Sequence, residues 1–134
     1  MFTVSNFCAC DYVRQEVGGK YTCIGVYPNA TMAIADFLIP ITISFYVEIT
    51  SSSFDAIDVH FILEDRTTNR IFSSFPAKVK LNGFSSPPLA TFPIEIKPGG
   101  PCRLHFSAIT GDQKIELGDL AIFEVQPNAT PRLL

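Results

Sequence analysis

Between Pro40 and Asp65 the chain alternates apolar and polar residues in two long runs. Ile41, Ile43, Phe45, Val47 and Ile49 interleave with Thr42, Ser44, Tyr46, Glu48 and Thr50. After a Ser51-Ser52-Ser53 break, Ile57, Val59, Phe61 and Leu63 interleave with Asp58, His60, Ile62 and Glu64. Successive side chains of a strand point to opposite sides of its sheet, so a period of two predicts two strands with one buried face each. Joined by a short polar loop, they are expected to pair antiparallel at the middle of an all-β core.

The same rule carries through the rest of the chain. Residues 2 to 16 read as one long strand with Cys8, Cys10 and Tyr12 on one face. Gly18-Gly19 is a hairpin signal, because both residues accept positive φ. The return strand runs from Lys20 to Tyr27, and a two-residue turn places Cys23 opposite Arg14, away from Cys10. Gly25 inside that strand predicts a bulge or a close backbone approach. Ala30 to Ile39 has no clean period and fits either a short helix or a crossover between sheets. Arg70 to Phe72 is a short extended piece, and Ala77, Val79 and Leu81 mark a half-exposed strand. Phe92, Ile94 and Ile96 share an apolar face, with Pro93 placing that strand at an edge.

Cys102, Leu104, Phe106 and Ala108 point inward on the next strand. A tight Gly111-Asp112 turn then sets Ala108 opposite Ile115 and Phe106 opposite Leu117. Gly118-Asp119 predicts a bulge before the apolar stretch Leu120 to Val125. About eight strands with turn residues between them predict an antiparallel two-layer β-sandwich, immunoglobulin-like or C2-like. It forms a single domain over residues 1–126, followed by a loose tail at 127–134.

Several stretches carry a resemblance, mainly in their strand pattern: Cys8-Ala9-Cys10-Asp11 leading into Gly19-Lys20, then Ile24-Gly25-Val26-Tyr27, Phe92-Pro93-Ile94-Glu95-Ile96 and Arg103-Leu104-His105-Phe106. With the central strand pair they make the chain resemble a family of small bacterial β-sandwich proteins of unknown function. The resemblance implies a fold and no activity, since function lives in sites rather than folds.

Composition narrows the function classes. Hydrophobic residues make up 47% of the 134, with 12 Phe, and charged residues only 17%, against roughly 25% in an average soluble domain. Mean hydropathy is +0.26. This apolar surplus predicts a dense Phe core, a surface that meets a partner, or both. A net charge of −3 with scattered basic residues argues against nucleic acid, whose phosphates need clustered Lys and Arg. No apolar run approaches the ~20 residues that span a bilayer, and no basic segment followed by a long apolar one marks a signal peptide. The expected location is therefore the cytoplasm, with Cys8, Cys10, Cys23 and Cys102 as free thiols. The sequons at Asn29 and Asn128 are then chance matches.

Candidate chemistry is sparse. Cys102 with His60 or His105 could make a nucleophile pair, but Cys102 and His105 stand three apart on one strand and face opposite ways. A zinc site could draw on Cys8, Cys10, His60 and His105, yet Cys-x-Cys is tighter than the usual C-x(2–4)-C knuckle. Calcium would need Asp55, Asp58, Asp65, Asp112 and Asp119 to converge in loops. No phosphate loop, dinucleotide glycine pattern or nucleophile elbow occurs. The expectation is a protein that is not an enzyme and uses no cofactor or metal.

What remains is a non-catalytic module for protein–protein interaction or self-association, including a phage- or mobile-element-encoded factor that binds a host protein. The alternatives are a sandwich that binds a small ligand or calcium, and a cysteine- or metal-dependent enzyme. If Ile49 pairs with Ile57, Tyr46 falls opposite His60 with Ile62 beside them. Those three residues are the expected partner surface, because tyrosine with an apolar rim is a common interface composition.

Overall fold

The computed structural model describes residues 2–125. The expected tail and the Asn128 sequon lie outside the described residues. Among the described residues eleven strands form, where about eight were expected: β1 (Phe2–Cys10), β2 (Tyr12–Gln15), β3 (Tyr21–Ile24), β4 (Thr31–Ile34), β5 (Ile41–Ser51), β6 (Ala56–Asp65), β7 (Arg70–Lys80), β8 (Leu89–Ala90), β9 (Ile94–Ile96), β10 (Cys102–Thr110) and β11 (Gln113–Glu124). There is no α-helix among the described residues, and the protein is all-β. The undecided stretch after Pro28 resolves into a single 3-10 turn at Pro28–Ala30 and then β4.

The strands make three sheets. One runs β1-β5-β8, with β9 also pairing β5; a second runs β4-β11-β10-β6-β7; the third is the β2-β3 hairpin. All pairs are antiparallel except β4 with β11.

Two expectations about pairing fail here. The strands flanking the triple serine, β5 and β6, belong to different sheets and do not pair. The Ser51 to Asp55 link crosses between sheets, tied down by Gly83 N–H donating to Ser53 O at 3.0 Å and Leu81 N–H to Asp55 O at 3.0 Å. Alternation fixes which face of a strand is buried and leaves open which sheet it joins. The first strand also breaks, at Asp11, so residues 2 to 16 form β1 and β2. Conversely, Arg70 to Lys80, read as two short pieces, is the single strand β7.

The predicted inward faces do meet. Ile43, Phe45, Val47 and Ile49 of β5 share one core cluster with Val59, Phe61 and Leu63 of β6 and with Leu104, Phe106 and Ala108 of β10. An aromatic file runs through it: Phe7 to Phe45 (ring centroids 5.3 Å), Phe45 to Phe106 (4.8 Å), Phe106 to Phe61 (5.6 Å) and Phe61 to Phe75 (5.4 Å). The file links the sheet of β5 to the sheet of β10. Gly118 makes room for its first member, since a Cβ there would lie 2.3 Å from the Phe7 ring. The predicted Ala108–Ile115 pair forms, but a register shift after it sets Phe106 opposite Gly118 rather than Leu117. That irregularity is the bulge expected around Gly118-Asp119.

Candidate functional site

Residues of β7 and of the irregular edge across from it enclose an apolar groove. β7 is the last strand of the five-stranded sheet, so among the described residues one side of its backbone has no strand neighbour. The opposing wall is Pro87-Pro88, β8, Thr91-Phe92-Pro93 and the start of β9. This wall cannot be one continuous strand, because Pro93 lacks an N–H for the ladder. Instead β8 and β9 each make a short pairing with β5. Thr91 anchors the gap between them: its Oγ1 accepts from Phe45 N–H at 2.9 Å, and its own N–H donates to Phe45 O at 3.0 Å.

The groove encloses about 790 Å³, with Phe61, Phe75 and Phe106 of the aromatic file among its lining residues. Lys78, Lys80 and Glu95 are the charged lining residues. Phe92, expected to face the core, is instead 91% exposed at the rim. Pro93 directly after it biases Phe92 toward extended backbone.

The structure separates the three residues expected to form a partner surface. Tyr46 lies on β5 opposite Cys8 and Ala90. Its hydroxyl donates to Glu48 Oε1 at 3.1 Å and its ring packs 5.6 Å from that of Tyr21. Burial, then the Glu48 hydrogen bond, push its phenol up to about 12. His60 and Ile62 lie on β6 in the other sheet. His60 stands opposite Pro76 and Ile109 and shares a hydrogen bond with Ser74; Ile62 stands opposite Ser74 and Ser107. The expected patch required β5 to pair with β6, and that pairing is absent.

The other candidates also resolve. His105 is buried beneath Arg66, Glu116 and Asp119: its Nδ1 meets the Asp119 carboxylate, and its Nε2 meets Glu116 and lies 2.8 Å from the Arg66 guanidinium. Arg66 and Glu116 also pair at 2.7 Å. Both ring nitrogens of His105 are thus engaged by charged neighbours. Cys102 is half-buried, and burial, then the negative charge of Asp65, push its thiol up to about 11. An activated nucleophile needs the opposite shift. Of the calcium candidates, Asp65 closes the β6–β7 turn by accepting from Thr67 N–H at 3.0 Å and Thr68 Oγ1 at 2.8 Å. Asp58 stands beside Lys78, and Asp119 serves His105.

All four cysteines are free thiols as expected, but the placement of Cys23 departs from expectation. The loop between β2 and β3 is five residues, closed by Glu16 N–H donating to Lys20 O at 2.7 Å, rather than the two-residue Gly18-Gly19 turn. Cys23 therefore pairs with Val13, not Arg14. Because a one-residue slip moves every side chain to the other face, Cys23 comes down onto Cys8 and Cys10. The three sulfurs lie within 4.8 Å of one another. Gly25, with φ +69°, lets Asp11 pass close enough to accept from Tyr27 Oη at 2.6 Å, which holds the hairpin in place.

Sequence reasoning missed the groove, whose walls are 73–80 and 87–95, one of them without a strand pattern. It named two members of the thiol cluster and lost the third to the slip. A comparison with protein-family models finds no match to the chain, and a comparison with curated proteins finds none either.

Proposed function

We propose that the protein is a non-catalytic binding module that holds an extended, largely apolar segment of a partner protein in the groove beside β7. The observation that carries this is the groove's shape. Its β7 wall runs from Ser73 to Lys80, roughly 23 Å of strand at about 3.3 Å per residue. A trough of that length and of about 790 Å³ suits a chain in extended form. Lys78 and Lys80 on its margin favour a segment whose apolar residues alternate with acidic ones.

The fold supports this use. We infer that the two larger sheets are the layers of a sandwich with immunoglobulin-like connectivity. Strand order β4-β11-β10-β6-β7, a parallel β4–β11 pair, and β5 in the opposite sheet all fit that arrangement. β7 is then an open sheet edge, a place where chain segments dock. Pro76 removes one backbone donor there, and the two lysines guard against indiscriminate strand pairing.

The test is selection of binders from a displayed library of random peptides, followed by affinity measurements on three proteins. Phe92→Asp places a charge at the exposed rim, and Phe84→Asp does the same at an exposed residue outside the groove lining. Selected peptides should bind wild type and Phe84→Asp alike and bind Phe92→Asp at least tenfold more weakly, with all three proteins melting together. Peptides that bind all three equally, or a library that yields no binder, would overturn the proposal.

A further inference from the structure

The thiol cluster shares no residue with the groove and has a chemistry of its own. Cys8 and Cys10, two apart on β1, project from the same face of the sheet, opposite Tyr46 and Ser44 of β5. After Asp11 the chain turns back as the β2-β3 hairpin, fixed to the end of β1 by Asp11 N–H donating to Ile24 O at 2.9 Å and Tyr27 N–H donating to Ala9 O at 3.0 Å. Cys23 on β3 completes a triangle of sulfurs contributed by both sheets. Cys10 is fully buried, while Cys8 and Cys23 are partly open to solvent. A small ion could therefore enter past two of the sulfurs and be capped by the third.

The donor set is narrow. Among the described residues, no His, Asp or Glu joins the three cysteines in the group. A structural zinc ion almost always takes four ligands. Thiolates favour Cu(I), zinc and iron–sulfur clusters, and of these a soft d¹⁰ Cu(I) of low coordination number suits three sulfurs without a fourth side chain. Three sulfurs about 2.3 Å from a central ion would stand roughly 4.0 Å apart. The observed triangle, with every sulfur within 4.8 Å of the others, needs only small side-chain adjustments to reach that size.

We propose that Cys8, Cys10 and Cys23 form a three-sulfur binding site for Cu(I). The thiols now donate weakly to backbone carbonyls: Cys10 Sγ to Tyr12 O at 3.5 Å and Ser44 O at 3.8 Å, and Cys8 Sγ to Ala9 O at 3.9 Å. Each sulfur that bonds the ion releases its proton to water, and the copper stays Cu(I) throughout, so no oxidant or reductant takes part. Burial and mutual proximity push the Cys8 and Cys10 thiols up to about 11 and about 12. Binding must therefore work against protons and tightens as pH rises.

The test is anaerobic titration of the reduced protein with Cu(I) supplied as its acetonitrile complex. It is followed by ultraviolet thiolate-to-copper absorption and by competition with a Cu(I) chelator of known affinity. Wild type and Cys102→Ser should each bind one Cu(I) with the same affinity. Cys23→Ser and Cys8→Ser alter half-exposed positions and should stay folded while losing at least 100-fold in affinity. Copper bound equally by Cys23→Ser, or no thiolate absorption on titration, would overturn the site. So would a reduced protein that binds no copper and forms a disulfide within the triangle in air, since the cluster would then be a redox pair.

Discussion

Phe106→Ala tests the architecture most directly. Phe106 is 1% exposed and stacks on Phe45 of the opposite sheet (4.8 Å, 11° between planes) and on Phe61 of the neighbouring strand (5.6 Å, 14°). Burying such a side chain stabilises by about 1.5–3 kcal/mol. Each aromatic contact adds about 0.5–1.5 kcal/mol. The sum, about 2.5–6 kcal/mol, brackets the range of about 3–5 kcal/mol found when a core Phe is cut back to Ala. Against a total stability of about 5–15 kcal/mol, that is a large share. With a urea dependence of about 2 kcal/mol/M, the unfolding midpoint should drop by about 2 M. Phe84→Ala, at a residue 91% exposed, should leave the midpoint within about 0.3 M of wild type and is the control. If Phe106→Ala unfolds with Phe84→Ala, the sheets do not meet through this ring and the core assignment is wrong.

Two further outcomes are expected. Gly118→Ala drives a methyl into the Phe7 ring at 2.3 Å and should destabilise by about 1–3 kcal/mol; Phe7→Leu in the same chain should recover part of that loss in urea melts, and additive losses would show that the two residues do not touch. The second concerns pH. Because Cys8 and Cys10 are pushed up from 9.0 to about 11 and about 12, the folded protein holds protons that the unfolded chain releases above pH 9. Their contribution to stability is intact below pH 9 and is lost as pH climbs through 11 to 12. Between pH 8 and 11 the urea midpoint of wild type should fall more steeply than that of Cys8→Ser, and equal slopes would refute the assignment.

How much of this was legible in the residues depended on the range of the signal. Alternation over Ile41 to Ile49, Ile57 to Leu63 and Cys102 to Ala108 located β5, β6 and β10 and named Phe45, Phe61 and Phe106 as core. Gly25 announced a close approach, and Gly118 a bulge. Pairing was not legible, because Ser51-Ser52-Ser53 serves a hairpin and a crossing between sheets equally well. That single choice misplaced Tyr46 against His60 and Ile62. The hairpin register turned on whether Gly18-Gly19 alone or all of Glu16 to Lys20 made the turn, and the one-residue difference decided where Cys23 pointed. The groove joins segments with no shared pattern, and its exposed Phe92 breaks the rule that aromatic residues go inside.

The parallel pairing of β4 with β11 bears on how the chain finds its structure. It joins residues 31–34 to residues 121–124, so nearly the whole described chain must be made before this ladder can close. During synthesis β4 waits without its partner, while the β6-β7 and β10-β11 hairpins can zip up as soon as they emerge. Contacts this remote in sequence raise the contact order and slow folding toward the millisecond-to-second range. The ladder between β4 and β11 is thus closed only when β11, the last strand among the described residues, has been made. A chain truncated before Gln113 would leave one edge of β10, and β4 itself, open to other chains, in the manner of proteins that aggregate when synthesis stalls.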